Sequence, residues 1–278
     1  MAVSGFQTPD DKPRILPYEV GGDLRPEQEA ALSALIGEIR SQADNFIFLS
    51  GGAKHLDEAT YGKLTGLFDA LRVLSDRGLS FAVGDGGTRA GIMEASGTAR
   101  ARALNRFPLL GVSPAFHIAP GEPAPEGKVQ VDPNHSAVVA VDNHSWDAEK
   151  EWGISYWGSE VDTMFRIFER LSDGSPSVAI AANGGGITLD EVRQNICQNR
   201  PVIVIQGSGR AADVISALIH PLQNGAERED DSPEYATLLT KAVVMNLTES
   251  RDLFHIFPIS GSPEMLADLV EALWAKQR

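Results

Sequence analysis

PSVAIAANGGGITLDEVRQNICQNRPVIVIQGSGRAAD, residues Pro176 to Asp213, holds two strand–turn–helix units in succession. Its apolar run Val178 to Ala182 ends in Asn183 and three glycines, Gly184, Gly185 and Gly186. Thr188 then opens an amphipathic segment whose Ile187, Val192, Ile196 and Cys197 fall near helical spacing, with Asp190 and Glu191 in the first turn. A second apolar run, Pro201 to Ile205, ends in Gly207, Ser208, Gly209 and Arg210, and a helical pattern follows through Asp213 to Leu218. Glycines at such turns let the backbone take positive φ and approach a ligand closely. The free N–H groups and partial positive charge of the following helix start suit a phosphate. Either turn alone is equally a tight connection that packs helix on strand. Neither is a Walker loop, because no Gly-Lys-Ser/Thr follows, and neither matches the dinucleotide fingerprint.

The same alternation extends outward. Glu27 to Arg40 has Leu32, Leu35, Ile36 and Ile39 on one helical face. Phe46 to Leu49 is a short strand running into Ser50, Gly51 and Gly52, and a helix from about Glu58 to Arg77 follows. Leu79 to Val83 runs into Gly84, Asp85, Gly86, Gly87 and Thr88 before another helix, and Leu109 to Val112 is a further strand. Ser113 to Val131 reads as a long loop, a feature that in α/β domains is more often functional than idle. Asp132, Pro133, Asn134 and His135 precede a strand at Ala137 to Val141 and a polar loop, Asp142 to Trp152, and a helix begins near Gly158. Asn224 to Glu234 is an acidic insertion expected to be mobile, and Ser262 or Pro263 starts a final helix. Strands alternating with helices predict an α/β, Rossmann-like fold: a mostly parallel sheet with helices on both faces, binding ligands beyond the carboxyl ends of its strands. Residues 1–25, rich in Pro, Gly and Asp, read as an irregular arm and 26–278 as one domain.

With 278 residues and 42% hydrophobic content the chain can bury a substantial core. A formal charge of −14 argues against a nucleic-acid partner, which needs a basic groove, but leaves room for a small anion held by backbone N–H groups and an arginine. No apolar run approaches the ~20 residues of a membrane span, and the N-terminus does not resemble a signal peptide, so no membrane association and a cytoplasmic location are expected. One cysteine, Cys197, precludes an internal disulfide and reads as an inert core thiol. The histidines are scattered without metal-ligand spacing, so no metal is expected. Ser208 lacks the Gly-x-Ser-x-Gly context of a nucleophile elbow.

Read together, GDGGTRAGIM (Gly84 to Met93), DPNHS (Asp132 to Ser136), WGSEVDTMFR (Trp157 to Arg166), NGGGIT (Asn183 to Thr188) and GSGRAAD (Gly207 to Asp213) closely resemble prokaryotic relatives of the ligand-sensing SLOG module of melastatin-type transient receptor potential channels. That superfamily also includes DprA and the Lonely Guy enzymes. The resemblance spans roughly residues 45 to 275 and implies a nucleotide-derived ligand, ADP-ribose-like, with no further cofactor required. It implies that Gly51, Gly52 and Gly84 to Thr88 line one side of a pocket and that Gly184 to Thr188, after Asn183, cradle a phosphate. Gly207, Ser208, Gly209 and Arg210 would then close the other side. Arg210 is either a phosphate fork or a helix-start arginine in a surface ion pair, and Asn134 and His135 either meet ligand or form a plain turn.

The Lonely Guy enzymes cleave an N-glycosidic bond through a Pro-Gly-Gly-x-Gly-Thr-x-x-Glu turn and an upstream arginine. Here Thr188 and Glu191 match, whereas Asn183 replaces the proline and Ile187 the last motif glycine, so the turn is expected to differ in shape. Arg166 is the candidate for the arginine and Glu191 for the carboxylate that stabilises an oxocarbenium-like state. A first-turn glutamate is equally favoured by the helix dipole alone. Glu160 is a pocket member or a structural partner of Arg166. The expected activity is binding of a soluble nucleotide derivative, the alternative its hydrolysis, and a homo-oligomer is compatible with either.

Overall fold

The alternation builds a parallel sheet, seen in a computed structural model that describes residues 12–20, 26–52, 56–119, 123–142, 157–220 and 232–278. In chain order its strands are β1 (Arg14–Glu19), β2 (Asn45–Gly51), β3 (Phe81–Asp85), β4 (Leu109–Pro114), β7 (Ala137–Asp142), β8 (Ser177–Ala182), β9 (Val202–Gln206) and β10 (Phe254–Pro258). Between β4 and β7 lies a separate parallel pair, β5 (Ile118–Ala119) and β6 (Val129–Gln130). The eight-stranded sheet runs β1-β7-β4-β3-β2-β8-β9-β10 with every pairing parallel. Its β4-β3-β2-β8-β9-β10 portion has the doubly wound order, which reverses direction between β2 and β8.

Helices α1 (Pro26–Arg40), α2 (Glu58–Phe68), α3 (Ala70–Asp76), α4 (Gly91–Arg102), α5 (Val161–Ser172), α6 (Gly186–Cys197), α7 (Arg210–Ile219), α8 (Pro233–Val244) and α9 (Pro263–Ala275) cover both faces. On one face α2, α3, α4 and α9 bury Leu71, Ile92 and Trp274 against Ile47, Val83, Ile180 and Ile205. On the other, α1 and α5 cover Phe46, Phe48 and Val139, while α6, α7 and α8 cover Ala179, Val202 and Val204. Being covered twice explains why strands such as β2 and β8 are buried nearly end to end rather than alternating.

Four readings of the sequence change, the first being Ser113 to Val131, expected as a loop, which carries the paired strands β5 and β6. Residues 1–25 are not irregular throughout, because Arg14–Glu19 forms β1 at the sheet edge beside β7, where Pro17 costs little since an edge strand leaves one side unpaired. The single helix expected from Glu58 to Arg77 bends at Asp69 into α2 and α3. Cys197 is exposed on α6, not buried. Most of the polar loop Asp142 to Trp152 and of the acidic insertion lies outside the described residues, but Glu234 opens α8, whose N-cap Ser232 accepts the Tyr235 N–H.

Candidate functional site

Because the sheet is parallel, the turns after β2, β3, β8 and β9 all sit at its carboxyl edge. Only some of them converge. At the reversal between β2 and β8, the Asn183 amide donates to the Gly52 carbonyl at 3.2 Å, and a Cβ placed on Gly52 would lie 3.3 Å from Gly184 Cα. Positive φ falls on Asn183 (52°) and Gly184 (82°), and a Cβ on Gly184 would lie 2.1 Å from Thr188 Oγ1. Glycine is thus required at 184 by both conformation and space. Thr188 Oγ1 accepts the Gly185 N–H at 3.3 Å, and Gly186 and Ile187 open α6 with first-turn amides that have no intrahelical acceptor. Ile187 adopts helical φ and packs against Gly158, so the departure from the glycine motif is absorbed inside the helix.

Arg210 and Lys241 flank this turn. A Cβ on Gly185 would lie 2.9 Å from Arg210 Nη2, and one on Gly186 3.4 Å from Lys241 Nζ. Arg210 Nε donates to Glu234 Oε1 at 3.0 Å, and its Nη2 reaches the same oxygen. Lys241 Nζ donates to the Gly186 carbonyl and to Asp190 Oδ2, each at 2.7 Å. Sequence reasoning missed Lys241 and Glu234, which lie on α8, far along the chain from the glycines; no local pattern marks them.

Glu191 is 9% exposed and lies near the Gly51 backbone N–H, while its Oε2 is sealed from solvent with no hydrogen-bond partner among the described residues. Burial, reinforced by the negative charge of Glu160, pushes its carboxyl well above the usual range. Glu160, just before α5, accepts the Gly158 N–H at 2.9 Å, and burial pushes it up to about 7. Two buried carboxyls thus lie close enough for the charge of Glu160 to act on Glu191. Arg166 is not brought to them: it lies on the exposed side of α5, donates to Thr163 Oγ1 at 3.0 Å and acts electrostatically on Tyr18 of β1.

The turn after β3 is largely committed to internal packing. Gly84 lies under the Phe168 ring, and Gly87, at φ 70°, crosses so close over Gly111 that a Cβ would sit 2.9 Å from its Cα. Thr88 is buried and bridges Val131, while Gly86 is half-buried. Asp85 Oδ1 accepts the Gly87 N–H and Oδ2 the Ser96 hydroxyl, both at 2.7 Å. His135, fully buried, places Nε2 2.7 Å from Asp85 and Nδ1 3.1 Å from Asp132. Burial, the largest influence, disfavours the charged ring, but Asp85 and the hydrogen bonds outweigh it and hold His135 at about 9. Buried Arg100 binds the Asn134 carbonyl at 2.8 Å, so Asn134 and His135 belong to a structural charge cluster.

The turn after β9 is also satisfied from within. Asp213 accepts the Gly207 N–H at 2.6 Å and the Gly209 N–H at 3.1 Å, filling the place an anion would take. Ser208 is buried and accepts the Asn183 N–H at 2.8 Å, tying this turn to that after β8. The Ala211 and Ala212 amides at the α7 start donate to the Gly184 and Asn183 carbonyls. Of Gly207 to Arg210, therefore, the Arg210 side chain alone is turned to the crevice. Among the described residues no group of three or more His, Cys, Asp or Glu is disposed to hold a metal, and no helix is long and apolar enough to cross a membrane.

A solved structural-genomics protein, TM1055, aligns over 82% of this chain and 99% of its own, at 17% identity and a TM-score of 0.47. No curated protein matches in sequence. The family described as "SLOG in TRPM, prokaryote" matches residues 45–264, from the first residue of β2 into α9 and across every turn described above, and the chain belongs to that family.

Proposed function

We propose that the chain binds a soluble nucleotide-derived ligand, ADP-ribose-like, with a phosphoryl group on the Gly184–Ile187 turn. The observation that carries this reading is the Arg210 guanidinium held over Gly185 where strand order reverses, beside the unpaired amides that open α6. The family supports a nucleotide ligand. Calorimetry with ADP-ribose, AMP and NAD tests it, with saturable binding expected for at least one. Gly185→Val should weaken that binding about tenfold or more by filling phosphate space and displacing Arg210, while the fold survives because the displaced atoms end a flexible side chain. Unchanged affinity would remove the turn from the site.

A second reading, hydrolysis of the ligand's N-glycosidic bond, is favoured by the buried Glu191 and Glu160 carboxyls. In it water bonds to the anomeric carbon and gives its proton to one carboxylate, the C–N bond breaks, and the base leaves with the proton of the other carboxyl. Release of base or nicotinamide during incubation supports turnover, and Glu191→Gln should then abolish product while binding persists.

A further inference from the structure

Helix α8 (Pro233–Val244) is uncharged around more of its circumference than a surface helix needs to be. On its inner side Tyr235, Leu238, Leu239 and Ala242 pack with Val214 and Ile215 of α7. Its two charged residues are both committed to neighbours, Glu234 to Arg210 and Lys241 to Asp190. The outer positions Pro233, Ala236, Thr237, Thr240, Val243 and Val244 are exposed and carry no charge. At about 100° per residue they fill a continuous arc of about 120°. Val243 is 57% and Val244 79% exposed, two of the four exposed large hydrophobic residues among the described residues. Thr237 and Thr240 donate their hydroxyls to the Pro233 and Ala236 carbonyls at 2.8 and 2.9 Å, so both donors are already spent within the helix. A surface helix ordinarily turns charged side chains outward, and one that is apolar all round is covered.

Charge and symmetry together point to a second copy of this chain as the cover. With a formal charge of −14, two copies repel wherever their charged surfaces meet, whereas this face brings no charges together. Thr240 lies at its middle, with Thr237 and Val243 three residues to either side and Ala236 and Val244 four. An antiparallel copy therefore sets Ala236 against the partner's Val244, Thr237 against the partner's Val243, and Thr240 against its own equivalent. Ala236 leaves room for the larger valine, and threonine and valine are alike in shape, so the patch fits itself as a two-fold contact requires.

We propose that the outer face of α8 is a self-association surface, on which two copies pair through antiparallel α8 helices about Thr240. The inference does not depend on the ligand. A helix of this length is about 18 Å long, so its face falls short of the about 800 Å² per partner buried in a stable complex. The dimer is therefore reversible, with a dissociation constant on the order of 100 μM.

The test is sedimentation of the full chain from about 5 to 500 μM, a range that spans that constant. The wild type is expected to rise from 29.8 kDa towards twice that mass. Added salt should promote the rise by screening the repulsion between acidic copies. Thr240→Glu, which sets two carboxylates together at the axis, should weaken association about tenfold or more. In a Cys197→Ser background, which removes the chain's single thiol, Thr240→Cys should close an intermolecular disulfide on mild oxidation. Closure should be about tenfold faster than for Ala34→Cys, an exposed control position on α1.

A wild type that stays monomeric to the highest concentration overturns the assignment and makes some other molecule the cover. A dimer that Thr240→Glu leaves intact overturns it too, as does equal cross-linking of Thr240→Cys and Ala34→Cys. Matching circular dichroism melts exclude misfolding of Thr240→Glu, and the cysteine pair decides the matter if that variant unfolds.

Discussion

Glu160 is a carboxyl that folding holds at a cost. Burial raises it to about 7, so the folded chain takes up a proton that the unfolded chain has already released. The sign follows from linkage: a carboxyl raised in the folded state supports stability below its ordinary pKa and withdraws that support as pH climbs through about 7. Glu160→Gln, neutral at every pH and nearly isosteric, should leave stability at pH 5 almost unchanged and raise it at pH 8 by about 1–3 kcal/mol. Urea unfolding at both pH values decides the matter, and an equal difference at both would refute the account. The glutamate that costs stability beside Glu191 is the kind of group retained for a ligand or a proton. Residue identity made Glu191 and the glycines legible, because Gly-rich turns before helix starts have a direct backbone meaning. It could not say which glycines serve a ligand: Gly87 and Gly184 both take positive φ, yet one packs on Gly111 and the other lies beside Gly52.

At the scale of elements, the Asp85–His135–Asp132 cluster fastens the end of β3 to the approach to β7, with Ser96 and Arg100 of α4 joined to it. Burial opposes the imidazolium, but the two carboxylates prevail and keep it charged to about 9. A histidine raised above its unfolded value gives stability that is complete below about 6.5 and disappears as pH rises through 9. That amounts to about 3 kcal/mol for a shift of this size. His135→Gln should cost about 3–5 kcal/mol at pH 6 by leaving two buried carboxylates without their cation, and should remove the decline between pH 6.5 and 9. Chemical denaturation across that range would show it, and a variant with the wild-type slope would exclude His135 as the titrating group. DPNHS was visible as a turn before a strand, but its partner Asp85 lies 50 residues earlier, so its structural use was not. The turn after β9 repeats the lesson, since Asp213, in the first turn of α7, takes the Gly207 and Gly209 amides for itself.

For the molecule as a whole, the proposed binding at the carboxyl edge would couple to global stability, because the turns it uses join β2, β8, α6, α7 and α8 and come together only when these are assembled. A ligand at about 100 times its dissociation constant stabilises the folded state by about 2.7 kcal/mol, or about 5 °C in Tm for a domain of this size. Thermal melts with saturating ADP-ribose should show that rise, with Gly185→Val showing little of it at the same concentration. A ligand that binds by calorimetry without moving Tm would place its site outside this assembly.

Local pattern was enough for the fold class, the strand–glycine–helix units and the edge at which they meet, because hydrophobic period, turn residues and helix starts are properties of a few neighbouring residues. β1 escaped it: RILPYE is half-buried at a sheet edge and forms a strand only because β7 is there to pair with. Lys241 and Glu234 reach the turn by the docking of α8, and Asp213 and Ser208 close what looked like a second phosphate loop. Hydrogen-bond satisfaction and charge pairing are settled between groups distant along the chain. Which amides remain open to an anion is therefore decided when the helices pack, not where the glycines are written.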